Sequence, residues 1–401
     1  MKILMLGWEL PPHNSGGLGI ACYQLCKALS KNDIDIEFIV PYTAEHGIDF
    51  MDITSAHPQD VKAVTKSGIA YDSFKYTTKE GKVKYLNIHD QQALYEESVS
   101  RLIDQKEFDI VHAHDWLTFR AALRVKEAKG CPVIVHVHSV ESDRSGSKHG
   151  NPLVKEIESV GMHLADKIIA ISMHTKRAIV RDYGIPADKI EVIHNSIESS
   201  DISPLDGDNA YKYLMMMRNQ GYRVVVNVGR LTIQKGLPNL LRAAQIVVEK
   251  NPKTLFLIVG SGEQYRELVE LSAELGISKN VLFADFQRGK KWRDAFAISD
   301  LFVMPSVSEP FGLTPLEAIG YGSPVLVSKQ SGVSEILNNC LKVDYWDIDE
   351  MANKIVAVVQ NDVLRDELWH NAHREYVHLS WQDASRKVRK VYESHLNGVA
   401  V

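Results

Sequence analysis

Clustered positive charge is missing from this chain. Its 401 residues carry 46 basic and 51 acidic side chains, a formal net charge of −5. A general nucleic-acid binder needs Lys and Arg gathered to neutralise phosphates, and no basic run of that kind occurs. The acidic excess lies in the N-terminal half, with 23 basic against 28 acidic residues up to Leu205 and 23 of each after it. A basic docking face for anionic lipid, and with it stable membrane association, is therefore not expected. Cysteine is scarce too. Cys22, Cys26, Cys131 and Cys340 are too few and too scattered for a disulfide framework, and Cys22 to Cys26 lacks the spacing of a redox pair, which fits a reduced, cytoplasmic setting. Long apolar runs are absent: no stretch approaches ~20 residues. The opening MKILMLGWELPP is short and broken by Glu9 and two prolines, so no signal sequence is expected. What remains is a chain 45% hydrophobic, long enough for two or more globular domains.

Short runs rich in Ile and Val do recur, separated by stretches with helical spacing, which is how buried parallel strands joined by helices read. In the first half they are KILMLG, IDIEFIV, DIVHAH, VIVHVHS, KIIAIS and IEVIHN. The rhythm restarts with RVVVNVG, LFLIVG, NVLFADF, LFVMPS and SPVLVSK. Between the two series, Ser199 to Asn209 has the Ser, Asp, Pro and Gly content of a linker. The pattern predicts two doubly wound α/β domains, residues 1–205 and 206–380, facing each other across a cleft. The last helical segment, about 381–401, is free to reach back to the first domain. Ligands in such sheets bind at the carboxyl ends of strands, so the informative residues should follow the apolar runs.

After the first run, Gly16, Gly17 and Gly19 precede a helix, where backbone amides and the helix start can hold an anion. The spacing is not that of dinucleotide sites, and a structural turn explains it equally well. VHAHDW and VHVHSVESDRSG end the third and fourth runs, and strand alternation puts His112 with His114, and His136 with His138, on one face. A zinc site is conceivable there, but no cysteine joins the histidines in sequence and no common zinc spacing is matched. Satisfied polar residues explain His112 and His136 as well as function does, while Asp115 and His138 lie furthest along their strands. Arg230 and Lys235 follow RVVVNVG and suit a diphosphate, one as a fork and one as a point charge; a solvated surface pair is the plain alternative. Gly260 and Gly262 permit close approach of a ligand, or make an ordinary turn.

SEPFGLTPLEAIG, from Ser308, holds two carboxylates. Thr314, Pro315 and Glu317 have the form of a capping box, which accounts for Glu317. Glu309, in a Pro-Phe-Gly turn five residues before that cap, has no such structural account. A carboxylate beside amides that could hold phosphate suggests a ligand with both phosphate and hydroxyl groups, as in a nucleotide sugar.

Taken together, the Gly16-Gly17 loop, HAHDWLT, His138, the Arg230/Lys235 pair and Glu309 with Glu317 resemble the family 4 glycosyltransferases. These are retaining enzymes of the two-Rossmann-domain GT-B type, and the likeness leans toward glycogen and starch synthases. The resemblance implies a hexosyl transfer, glucose by preference, from a UDP- or ADP-glucose-type donor to an α-glucan. Other carbohydrate acceptors, small, phosphorylated or carrier-linked, are the alternative, and a sugar-nucleotide epimerase or a non-catalytic sensor stands further off. It also implies roles. Arg230 and Lys235 hold the diphosphate with the amides of Gly312, Leu313 and Thr314. Glu309 takes donor-sugar hydroxyls and Glu317 the ribose. His138 contacts the donor sugar, Asp115 lies on the acceptor side, and Gly16 and Gly17 close over the phosphates. No metal or other cofactor is implied, in keeping with the Asp33/Asp35, Asp206/Asp208 and Asp347/Asp349 pairs, which read as surface charge. Glycogen synthases usually place Lys before the paired glycines, where this chain has Asn14-Ser15. The common Asn-Gly-Ile-Asp appears as Asn195-Ser196-Ile197-Glu198, and Ser139 replaces an Asn after His138. These departures leave the reaction class and loosen the choice of glucan.

Overall fold

The computed structural model describes residues 1–12, 16–56, 61–62, 75–77, 83–85, 87–145 and 150–396. Two compact units emerge, Met1–Ser196 with Ser380–Val401, and Ile197–Leu379.

The first unit is built on a parallel sheet of β1 (Lys2–Leu6), β2 (Asp35–Val40), β3 (Asp52–Ser55), β7 (Ile110–His114), β8 (Val133–Val137), β9 (Lys167–Ala170) and β10 (Ile190–Val192). Three short antiparallel strands, β4 (Val61–Lys62), β5 (Lys75–Thr77) and β6 (Val83–Tyr85), form a separate sheet. The main order is β10-β9-β8-β7-β1-β2-β3. The chain thus winds outward one way from β1, returns, and winds the other way from β7, leaving a topological switch point between those two strands. Both β7 and β8 are buried along their whole length, which their Ile and Val content anticipates.

The helix Trp381–Leu396 belongs to this unit. Its buried positions Trp381, Ala384, Ser385, Val388, Val391 and Tyr392 recur at three and four residues, one face of a helix. That face packs on the helix Gly17–Ser30. Burying each large apolar side chain contributes roughly 1.5–3 kcal/mol, and Asn32 Nδ2 adds a 2.7 Å hydrogen bond to Ser385 Oγ.

The second unit carries β11 (Arg223–Val228), β12 (Thr254–Val259), β13 (Val281–Phe283), β14 (Leu301–Met304), β15 (Val325–Ser328) and β16 (Leu341–Val343), all parallel, in the order β13-β12-β11-β14-β15-β16. Here the switch point falls between β11 and β14, whose pairing of Val225 with Leu301 and Val226 with Phe302 brings their carboxyl ends together.

The segment read as a linker is docked on this unit. Arg293 donates to Pro204 O at 2.9 Å and to Asp206 at 3.0 Å, while Ala210 N and Asn209 Nδ2 donate to Asp294. Polar composition shows that a segment cannot build a core, but not whether a neighbouring helix holds it. Among the described residues, no helix is long and apolar enough to cross a membrane.

Candidate functional site

At the β11/β14 switch point the chain leaves β11 through Gly229 and Arg230 and makes a 3-10 turn at Ile233–Lys235. It leaves β14 through Pro305 and Ser306 to reach Glu309. Val307 N donates to Gln234 O at 2.9 Å, tying the two loops together. The result is a 2.5 Å ion pair between Lys235 Nζ and Glu309 Oε2, with Ser306 Oγ donating to the same oxygen at 3.0 Å. The Glu309 backbone is fixed as well: its N–H donates to Gln330 O and its C=O accepts from Gly332 N. Gly312 follows with φ +95, where an added Cβ would sit about 3 Å from Met304 and from Glu309 Cγ, so this turn needs glycine.

Arg230 is half-buried and has no acceptor among the described residues. Nor do the amides of Gly312, Leu313 and Thr314 donate to any described group. Gly260 and Gly262 have a packing reason, because added Cβ atoms would lie 1.8 Å from Gly229 O and 2.3 Å from Leu231 O. They let the loop after β12 press against the backbone that carries Arg230.

The capping box does not form. The helix is Thr314–Gly320 with Leu313 as its N-cap and no side-chain cap bond. The turn at Gly312 lets Leu313 enter right-handed geometry one residue early, so Thr314 is already helical and its hydroxyl cannot cap. Glu317 is thereby released from the role that explained it. It makes no hydrogen bond through its carboxyl among the described residues, and desolvation pushes its pKa up to about 8.

The two carboxylates thus exchange standing: Glu309 is the one the structure holds, and Glu317 is the one left over. Ser306, which sequence reasoning missed, has a faint signal as a hydroxyl three residues before Glu309 in a strand-exit loop. The three Asp-x-Asp pairs are exposed, as expected of surface charge.

The first unit's strand ends hold different chemistry. His112, His114, His136 and His138 form one stacked column, with ring centroids 4.4 Å apart for His136 and His138 and 4.5 Å for His112 and His114. Tyr392 Oη lies 2.5 Å from His112 Nδ1, His112 Nε2 is 3.2 Å from His136 Nδ1, and His114 Nδ1 is 3.0 Å from His138 Nε2. Burial pushes all four pKa values down, that of His114 to about 3, so the column is neutral.

A cysteine does join these histidines. The helix after β1 brings Cys22 to His114 and His138, with one donor atom from each lying within 4.8 Å of the others. Sequence distance hid this, since the residues come from three different βα units.

Asp115 follows β7 with φ +59, a conformation costly for a residue with a side chain. Its Oδ1 accepts from His138 N at 2.7 Å and Ser139 N at 3.4 Å, lashing the end of β7 to the end of β8. Burial raises its pKa to about 7, opposed chiefly by Arg144.

Gly16 caps the helix Gly17–Ser30, so Gly17 and Gly19 lie in its first turn and not before it as expected, and the Gly16 N–H donates to Glu9 Oε2 at 3.1 Å, which puts a carboxylate at that helix start. Asn14 and Ser15, where a Lys is usual in glycogen synthases, lie outside the described residues.

Residues 217–375 match the family described as glycosyl transferases group 1, and residues 15–201 the one described as glycosyltransferase family 4. An uncharacterized glycosyltransferase of Methanocaldococcus jannaschii is 28% identical over 98% of both chains. A glycogen synthase of Mycobacterium tuberculosis is 25% identical over 84% of this chain and 80% of its own. In fold, the chain is similar to sucrose-phosphate synthase from Thermosynechococcus elongatus, with a TM-score of 0.74 and 18% identity over 98% of each.

Proposed function

Starting from a chain that belongs to the family 4 glycosyltransferases of the GT-B type, we propose that it moves a glucosyl unit, with retention, from a nucleoside-diphosphate donor to an α-glucan. One observation carries the reading: the Lys235–Glu309 ion pair joins the loops that leave β11 and β14, and the same two loops hold Arg230 and the amides of Gly312, Leu313 and Thr314, which have no partner among the described residues. A diphosphate offers the acceptors that Arg230 and the amides lack, and it can share Lys235 with Glu309.

The chemistry follows from charge. As the bond to the anomeric carbon breaks, the sugar gains oxocarbenium character and the departing diphosphate gains negative charge. Preorganised cations and amides stabilise that charge without needing to reorganise, and no metal is required for it. Glu309 Oε2 is occupied by Lys235 and Ser306, which leaves Oε1 to accept from donor-sugar hydroxyls. Glu317, protonated over much of the neutral range, can both donate to and accept from ribose hydroxyls. The remaining roles rest on the resemblance: His138 at the donor sugar, Asp115 toward the acceptor, and Gly16 and Gly17 at the phosphates. The glycogen synthase relative supports a glucan acceptor.

Incubation with UDP-glucose and ADP-glucose separately, with glycogen or maltooligosaccharide, tests the reading through nucleotide release and polymer growth. Growth with either donor is expected. Nucleotide release without growth would remove the glucan, and neither release nor growth would remove the transfer.

A further inference from the structure

The histidine column leaves ring nitrogens unanswered. His114 Nε2, His136 Nε2 and His138 Nδ1 are buried with no hydrogen-bond partner among the described residues. Each such atom costs about 1–3 kcal/mol, and two of the three belong to His114 and His138, the imidazoles that meet a thiol. Cys22, itself fully buried, lies over the same column, and it, His114 and His138 each place a donor atom within 4.8 Å of the other two. The alternative triad of His112, His114 and His136 meets the same distance. It is the poorer candidate, because both nitrogens of His112 are engaged, by Tyr392 and His136, and because it supplies no anion.

From this convergence we propose that Cys22, His114 and His138 form a site for a soft divalent transition metal of the zinc class, bound by one thiolate and two neutral imidazoles. That donor set is one zinc favours, and three protein ligands leave a fourth position for water. In tetrahedral geometry with metal–ligand bonds of about 2.0–2.3 Å, donor atoms stand roughly 3.5 Å apart. The three side chains therefore need to draw together by only ~1 Å, within the reach of side-chain rotation.

Charge is manageable as well. The thiolate offsets half of the ion's charge, and Asp115 and Glu9 act electrostatically on the same sulfur. Without metal, burial keeps Cys22 a thiol. Binding forms the sulfur–metal bond as the thiol proton passes to solvent, so affinity rises with pH and no oxidant or reductant is involved. A bound ion also withdraws His138 from other work. Under the proposed function, on which this one consequence rests, occupancy inhibits transfer.

Titrating the metal-free full chain with Co²⁺ tests the site directly. Ligand-field bands of tetrahedral cobalt and a thiolate-to-cobalt charge-transfer band should grow to saturation at a single equivalent and be displaced by zinc. Cys22→Ala should lose the charge-transfer band and weaken zinc binding by about a hundredfold or more, with circular dichroism and unfolding midpoint near those of the parent. Should that variant fail to fold, His114→Gln replaces it and should lose the ligand-field intensity.

No charge-transfer band at one equivalent overturns the site. So does an unchanged band in Cys22→Ala, since the thiolate would then belong to Cys26, Cys131 or Cys340. In the transfer assay, equimolar zinc should slow the parent and a chelator restore it, while Cys22→Ala keeps its basal rate and ignores zinc. Full-rate transfer by the zinc-bound protein overturns the inhibitory consequence. A parent inactive with and without metal speaks against the proposed function, while the cobalt spectrum still decides the site.

Discussion

Beside the switch points of two sheets of like winding, the molecule carries opposite chemistry. The ends of β7 and β8 in the first unit are filled by four neutral, stacked imidazoles that engage five of their eight ring nitrogens with one another and with Tyr392. The ends of β11 and β14 in the second carry an ion pair, and a guanidinium and three amides without a partner among the described residues. Both lie at the carboxyl edge beside a switch point, where doubly wound folds leave room for ligands. Topology thus supplies the address, and the side chains decide whether it is packed or kept open. The first edge has spent most of its polar groups internally, whereas the second has kept some unspent.

On this contrast, substitutions at Arg230 and Glu309 on the second edge should cost activity with little stability, and those at the His112–Tyr392 contact on the first the reverse. The largest effect is expected from Arg230→Ala, a loss of about 10²–10³-fold in kcat/KM for the donor, as for removal of a charge-stabilising donor elsewhere, with an unchanged unfolding midpoint. A comparable loss of stability instead would break the contrast. Glu309→Gln should lower kcat by on the order of 10²-fold with the fold intact, since the amide still reaches Ser306 but releases Lys235. Steady-state kinetics at parental rates would remove Glu309 from the mechanism.

On the other side, Tyr392→Phe should cost about 1–3 kcal/mol in denaturant unfolding, because it leaves His112 Nδ1 buried and unpaired, while donor affinity measured by calorimetry stays put. Glu317 sharpens the comparison through pH. Its folded pKa of about 8 stands above the ordinary carboxylate value, so the native state holds a proton that the unfolded chain has lost. Its contribution to stability is present at acid pH and is lost as pH rises toward 8. Glu317→Gln should remove that slope from unfolding midpoints taken between about pH 5 and 9 and weaken nucleotide binding several-fold. The smallest effect belongs to Thr314→Ala, under about 0.5 kcal/mol, where a true cap would cost ~1 kcal/mol.

Much of the architecture was legible because buried parallel strands need uninterrupted Ile and Val. Six apolar runs foretold six strands of the first unit, and five foretold five of the second. The missed members of the two parallel sheets, β3 (DITS) and β16 (LKV), are edge strands buried on fewer sides, so their sequences need not be apolar, and the short antiparallel strands β4, β5 and β6 were missed as well. At the site, residue types and strand-end positions singled out Lys235 and Glu309, which the structure pairs, and Arg230 at the end of β11. The capping-box reading failed because one glycine conformation shifted the helix start. Ser306 and Cys22 stayed hidden because their partners lie in other elements.

By itself, then, the sequence determined the alternation of strands and helices, the doubling of that pattern and the strand ends on which chemistry sits. Period, polarity and turn residues act between near neighbours along the chain. Only the tertiary structure decided which carboxylate is held and which is free, and that a thiol joins the imidazole column. Those outcomes depend on distances between side chains far apart in sequence, and on the burial that sets their protonation.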